Sequence, residues 1–349
     1  MPFYGNMLDL ELMDINNHQY TNHIYNKKVL LVGVFPLPLG GVSVHLRRVQ
    51  SKLERQGCEI WAWDVCKQQQ RLSQIGYYWR LWRFCLRHRP QVIIYHTMQL
   101  RSYPIELLIL LLAGKLLKSQ KLVMIHSERF IYRLNWVSRK LTGLILGCYD
   151  QLILVSEAQK QEIGARIELT GVKHVAIESP FLPPDFSTKL AILSKMPSSL
   201  NDFIQNHAPV ISCIVTRKID WQGQDLYGAD LALGSFRRLK QDYSRAGLIL
   251  VIGDKSGYED LSENLKENPG VYLLVGWEQE VWPLIGETDL LIRPTRSDSF
   301  GISIMEALSL GVPVVASDVC VRPNGAILFK NGDEHDLYMK IKLVLRRQR

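Results

Sequence analysis

Strand-length apolar runs alternate with amphipathic stretches along nearly the whole chain, and this pattern admits few folds. Strands joined by helical crossovers build parallel sheets, whose strands are covered on both faces and read as continuous Val/Ile/Leu runs. In the first half the runs fall at Lys28–Phe35, Glu59–Asp64, Val92–His96, Leu122–His126, Leu152–Val155 and Val175–Ile177. The second half repeats the logic at Val210–Thr216, Leu248–Gly253, Val271–Val275, Leu290–Pro294 and Val312–Ser317. A last strand near Ile327–Phe329 and a helix from Glu334 complete it. Residues 182–208 are rich in Pro and Ser and lack a period, as a linker does. The expected organisation is therefore a polar N-terminal extension (1–26), an α/β domain (27–181), the linker (182–208), a second α/β domain (209–330) and a C-terminal segment (331–349). That segment is expected as a helix crossing back to the first domain. A chain of 349 residues exceeds the usual single-core size and fits two domains.

Composition narrows the class. With 47% apolar and 22% charged residues the chain is an ordinary globular one. Its six cysteines are scattered without C-x-x-C or His/Cys ligand spacing, so buried free thiols are expected and neither disulfides nor a metal. The first 25 residues are too polar for a secretory signal. The most apolar stretch, 105–117, is too short to span a bilayer and is expected as a buried helix on a sheet. A cytoplasmic location, at the inner face of the membrane, follows as the expectation. Charge is uneven: residues 1–180 carry a net +10 and the remainder −2, together the chain's +8. One half is thus suited to an anionic partner.

Residues 76–89, GYYWRLWRFCLRHR, interleave five aromatics with four arginines. Such a helix suits an anionic membrane surface. It also suits a sheet covered by its aromatics, or stacking on nucleic-acid bases, of which nucleic acid is the partner not expected.

Residues 293–318, RPTRSDSFGISIMEALSLGVPVVASD, say most about chemistry. Asp298 precedes a small-residue turn, Ser299-Phe300-Gly301, that opens a helix carrying Glu306. Backbone N–H groups at a helix N-terminus form a ready anion site. A phosphate there, with carboxylates on neighbouring hydroxyls, is the geometry a nucleotide-sugar needs. An ordinary loop–helix–strand unit capped by Asp298 or Ser299 fits the spacing equally well.

Pro294, Phe300, Gly301, Glu306, Ala307, Gly311, Pro313, Val314 and Val315 all fall in the pattern PS-x-x-E-G-F-G-x-x-x-x-E-A-x-x-x-G-x-P-V-V. The run resembles the donor-site signature of retaining GT-B glycosyltransferases, the large "glycosyl transferases group 1" family. Ser317-Asp318-Val319 with Arg322-Pro323 is similar to its polysaccharide-biosynthesis subgroup. The first acid is Asp298 where the family has Glu. The resemblance implies two Rossmann-like open parallel-sheet domains facing a cleft, with no cofactor and an NDP-sugar as co-substrate. It implies retaining, metal-independent transfer to a glycan or polyprenyl-diphosphate-linked acceptor.

The same resemblance assigns roles residue by residue. Gly40 and Gly41, in the loop after the first strand, would meet donor phosphates and acceptor; by themselves they read as a simple turn. His126, at the end of LVMIH, would offer a polar contact to the reacting sugar; a lone strand-end His is otherwise structural. Ser127 and Glu128 follow it, Glu128 as a second acid for the cleft. Arg217 would neutralise the diphosphate, with Lys218 beside it and Gln222 where the family has Lys; surface ion pairs are the alternative. Gly276 and Trp277 would border the base. Glu306 would grip the ribose, while Asp298, Ser299, Phe300 and Gly301 would hold sugar and phosphate. Other readings of the same fold are a catalytically weak or inactive partner protein and a nucleotide-sugar epimerase.

Overall fold

Both series of apolar runs fold as parallel six-stranded sheets in the computed structural model, which describes residues 19–347 except 37–39, 72, 98–102, 170, 255, 259–269 and 299. In the first sheet β1 (Lys28–Gly33), β2 (Glu59–Asp64), β3 (Val92–Thr97), β4 (Gln120–Ile125), β5 (Gln151–Leu154) and β6 (Val175–Ile177) lie in the order 2-1-3-4-5-6. In the second, β7 (Val210–Val215), β10 (Gly247–Ile252), β11 (Val271–Val275), β12 (Leu290–Arg293), β13 (Val314–Ser317) and β14 (Ile327–Phe329) lie in the order 11-10-7-12-13-14. A small antiparallel hairpin, β8 (Asp220–Trp221) and β9 (Gln224–Asp225), stands apart. The strand order reverses between β1 and β3 and between β7 and β12. Ligands of open α/β sheets bind outside the carboxyl ends of strands at such points. The GT-B fold class is thus observed as two Rossmann-like sheets, and the chain divides into two compact units whose main boundary lies between Leu182 and Pro183, with Gly40 and Gly41 grouped with the second.

Each sheet is covered on both faces, which is why its strands carry apolar side chains without alternation; all six residues of β10 are buried. The helices of the first unit are α1 (Gly41–Arg55), α2 (Val65–Arg71), α3 (Gln74–His88), α4 (Tyr103–Leu117), α5 (Trp136–Gly147) and α6 (Glu157–Gly164). The interleaved aromatics of α3 mostly cover the sheet: Tyr77 is buried and takes a hydrogen bond from Trp63 Nε1, and Tyr78, Trp82 and Phe84 pack on the same core. Only Trp79 among them stands well out, beside exposed Arg80, Arg83 and Arg87. Helix α4 was expected to be buried, and only one face is. Leu107, Leu110, Leu111 and Ala113 enter the core, and buried Glu106 accepts a hydrogen bond from the Tyr95 hydroxyl. Ile105, Leu108, Leu112 and Leu116 face outward. One sheet covers one stripe of a helix, so a helix apolar all round keeps a second stripe in the open.

Residues 182–208 are not a bare linker. They hold α7 (Lys189–Leu193) and α8 (Ser198–Asn206), and Met196 and Leu200 pack with Val210, Ile249, Val251 and Leu274 of the second unit. Short amphipathic turns broken by Pro leave too weak a period to read. The second unit continues with α9 (Ala229–Asp242), α10 (Ile302–Ser309) and α11 (Glu334–Arg347). The C-terminal helix α11 packs Leu337, Ile341, Val344 and Leu345 onto its own sheet and onto Phe236 and Leu239 of α9.

Gly228 and Gly311 separate two reasons for glycine. Both have positive φ, +70° and +74°, but a Cβ on Gly228 would sit 2.1 Å from the Pro294 carbonyl oxygen, whereas one on Gly311 meets nothing within 4 Å. Gly311→Ala is expected to cost about 1 kcal/mol of backbone strain. Gly228→Ala is expected to cost about 3 kcal/mol or more, because overpacking adds to that strain. Urea denaturation of the two variants measures the difference; equal costs would contradict the close approach.

Candidate functional site

The end of β12 supplies the centre of the site. Arg293 closes an apolar strand and is largely buried, so its charge needs a partner. Asp298, five residues on, provides it: its Oδ2 accepts from Arg293 Nε at 2.6 Å, from Arg322 Nη1 at 2.8 Å and from the Thr295 hydroxyl at 3.3 Å. Burial alone would raise the Asp298 pKa. Arg293 and then Arg322, through charge and hydrogen bonds, outweigh burial and hold the carboxyl well below the usual carboxylate range. The guanidinium of Arg293 also donates to the Ser303 hydroxyl, and that of Arg322 to the Ser317 carbonyl, the Ser317 hydroxyl and Thr295.

This network fixes the turn into α10. Gly301 precedes the helix with φ +85°, and a Cβ there would lie 2.9 Å from Ile304 Cδ1, 3.1 Å from Arg293 Nε and 3.2 Å from Arg322 Nη1. Only glycine lets backbone and guanidinium groups approach so closely. Glu306 follows on α10, buried to 5% exposure. Phe300 is half-buried, and Ser299 lies outside the described residues. Asp298, expected to hold sugar and phosphate, has its Oδ2 taken up by two arginines of its own unit, which fixes the turn into α10.

Arg217 and Lys218 lie just past the end of β7, on the other strand of this switch point, and both are exposed. Neither takes part in an ion pair among the described residues. Beside them Gly253 brings its backbone against Thr216, whose carbonyl oxygen would be 2.9 Å from an added Cβ. Gln222 and Gly223 form the two-residue tip between β8 and β9, with φ +55° and +78°, the combination of a type I′ hairpin. Gln222 is exposed there. Arg296 braces the hairpin's base, donating to the Asp225 carbonyl and pairing through both terminal nitrogens with Asp230. Gly276 follows β11 with φ +68° and open space at its Cβ position, and the Trp277 indole donates to the Glu280 carbonyl.

Gly40 precedes α1 and Gly41 opens it; 37–39 of their loop lie outside the described residues, as does the Glu128 side chain. His126 follows β4 and is buried, with Nε2 2.9 Å from His96 Nδ1 at the neighbouring end of β3. Burial pushes the His126 pKa down to about 3, so the imidazole is neutral at ordinary pH. It suits hydrogen bonding better than proton donation. His45 of α1 completes a cluster with ring centroids 5.0 Å and 5.4 Å from His126 and His96.

Sequence reading passed over Arg293, His45 and His96, and noted Arg322 only as part of a subgroup pattern, with no role in the site. Two signals were available: an arginine ending the apolar strand LLIR, and the matched strand ends VIIYH and LVMIH.

Residues 221–347 match the family model described as Glycosyl transferases group 1. Over 95 residues the chain is 30% identical to the lipopolysaccharide glucosyltransferase WaaG of Escherichia coli K12, covering 27% of this chain and 25% of the relative. Over 160 residues it is 24% identical to the O-antigen biosynthesis glycosyltransferase WclY of Escherichia coli, covering 38% and 44%. The aligned stretches thus span a quarter and under half of these relatives. Among solved structures, Anabaena Alr3699/HepE in complex with UDP and glucose superposes with a TM-score of 0.65 at 16% identity, covering 92% of this chain and 90% of that one. Sucrose-phosphate synthase from Thermosynechococcus elongatus gives 0.63 at 14%, over 92% and 90%. The fold is that of these solved structures, and 221–347 carry the sequence pattern of the family the motif resembles.

Asp298→Asn would leave two buried guanidinium groups without their anion, and a loss of about 3–5 kcal/mol is expected. A carboxyl with a lowered folded-state pKa contributes stability above its unfolded value, which is lost as pH falls through the folded one. Unfolding curves of wild type and variant should therefore differ most at neutral pH and converge in strong acid. A constant difference down to the lowest pH would remove Asp298 as the hub.

Proposed function

We propose that the chain is a retaining, metal-independent glycosyltransferase that moves a sugar from an NDP-sugar to a glycan or lipid-linked glycan acceptor in polysaccharide biosynthesis. The observation that carries this reading is the β7/β12 switch point. There two exposed cations, Arg217 and Lys218, and the turn of a family-matched motif stand at the carboxyl ends of adjacent strands. Arg217 and Lys218 would neutralise the diphosphate as it leaves, so that protein cations supply what a metal would otherwise provide. The backbone of Phe300 and Gly301 and the start of α10 would receive a phosphate oxygen, and Glu306 the ribose hydroxyls. Gly276 and Trp277 would border the base. Asp298 acts through Arg293 and Arg322 as a positioning residue. His126, neutral, would offer the sugar a hydrogen bond. No side chain is assigned as a covalent nucleophile, and front-face departure and attack on one side of the sugar is the route this reading takes.

A membrane-bound acceptor fits the first unit. The outer stripe of α4 (Ile105, Leu108, Leu112, Leu116) and that of α5 (Trp136, Val137, Leu141, Leu144) are both exposed on helices that pack side by side. Helix α3, next to α4, turns Arg80, Arg83 and Arg87 outward. Apolar side chains flanked by arginines suit the surface of an anionic bilayer. Among the described residues no helix is long and apolar enough to cross one. The contact expected of residues 76–89 thus shifts, with α3 supplying charge and α4 and α5 the apolar area.

Calorimetry with UDP, GDP, ADP and CDP in the presence of chelator tests the donor site. One nucleotide should bind selectively, Glu306→Ala should lose it, and Arg217→Ala should weaken it by ~1.5–3 kcal/mol, about tenfold or more. No binding by any nucleotide would sink the reading. Binding without sugar transfer to any acceptor would instead favour a non-catalytic partner of the same fold, the reading that Gln222 in place of Lys supports. For the membrane face, flotation with phosphatidylglycerol vesicles should recover the wild type and not Leu112→Glu/Leu116→Glu. Equal recovery of both would remove that face as the contact.

A further inference from the structure

We propose that His45, His96 and His126 bind a divalent transition-metal ion of the zinc class at the carboxyl edge of the first sheet. All three side chains are buried, and one ring nitrogen from each lies within 4.8 Å of the others. They come from three elements: His45 from α1, His96 from β3 and His126 from the residue after β4. Because β3 and β4 are neighbours in register, with His96 beside Met124, the fold itself brings the two strand-end rings together. Three buried imidazoles are a nitrogen donor set suited to zinc, copper or nickel and unsuited to calcium or magnesium.

The surroundings orient the His45 ring as a metal ligand is usually oriented. His45 Nδ1 lies 2.7 Å from the Pro180 carbonyl oxygen. A carbonyl only accepts, so Nδ1 carries the hydrogen and Nε2 keeps its lone pair, the outer-shell arrangement that fixes the tautomer of a metal-bound histidine. The Tyr20 hydroxyl, 3.3 Å from that Nε2, donates to it, and an ion taking the lone pair would displace this hydrogen bond. His96 is under-partnered: Nδ1 meets His126 Nε2 at 2.9 Å, and Nε2, wholly buried, has no hydrogen-bond partner.

Two nitrogens on one tetrahedral zinc stand ~3.3 Å apart, from Zn–N bonds of about 2.0–2.1 Å. The His96–His126 pair is close to that spacing, and the cluster as a whole is somewhat more open. For an ion to take both nitrogens of the pair, the hydrogen between them moves to the other nitrogen of its own ring. No net proton is lost, since each imidazole stays neutral. The site departs from the expectation of no metal, which rested on the cysteine pattern and on the resemblance. It lies wholly in the first unit and shares His126 with the proposed sugar contact, so an ion held there would take that imidazole from the sugar.

The test uses the untagged full chain stripped with chelator. Titration with cobalt(II) should give a visible d–d absorption band saturating at one ion per chain, and zinc should abolish it by displacement. Zinc should raise Tm by several degrees. His45→Gln and His126→Gln should each weaken binding at least tenfold, while His174→Gln, at an exposed histidine, should leave it unchanged. Absence of the band, or a band that persists in both cluster variants, overturns the proposal. If the variants fail to fold, zinc-edge X-ray absorption of the wild type decides: three imidazole nitrogens support the site, and an oxygen-dominated shell refutes it.

Discussion

The second unit turns on one buried carboxylate shared by two arginines. Taking such groups out of water costs several kcal/mol per ion, and their attraction offsets that only with good geometry and satisfied hydrogen bonds. Asp298, Arg293 and Arg322 meet this condition through Thr295, Ser303 and Ser317, which take up donors that the carboxylate does not. The network ties the end of β12, the turn into α10 and the segment after β13 into one body. Gly301 is the one residue type that fits between the guanidinium groups. Two cations and one anion leave these three groups with net positive charge at the switch point, which favours an anionic ligand there.

The two units apply the same topological device to different chemistry. Each reverses its strand order once, and at each reversal the carboxyl ends of two strands open a site. In the second unit the opening holds arginine, lysine and acid; in the first it holds three buried histidines. The first unit also keeps an apolar stripe on α4 and α5 in the open, while the arginines of α3 account for part of its positive charge.

Much of the fold was legible because a parallel strand buried on both faces leaves an uninterrupted apolar run. Val271–Val275, Val175–Ile177 and Ile327–Phe329 were read at their observed bounds. The stretch 182–208 was misread because its two short helices take their stability from packing Met196 and Leu200 on the second unit, which no local period announces. Helix α4 was half read, since apolarity all round reveals that a helix has much to bury but not that its sheet covers only one side. In the site, Glu306, Gly301, Arg217 and Lys218 stood out by motif. Asp298 stood out too, yet its partner Arg322 is 24 residues away, and that pairing exists only once β12 and β13 lie side by side.

By itself the sequence determined the two-sheet α/β class, most strand positions and the family pattern of residues 221–347, because burial periodicity and turn chemistry are local and survive in one dimension. Only the tertiary structure decided that Asp298 shapes a turn through two arginines, that three histidines from separate elements share one pocket of the first unit, and which helix faces remain open. Those outcomes depend on groups brought together by strand order, and strand order is set by the packing of whole layers, which no short stretch of sequence encodes.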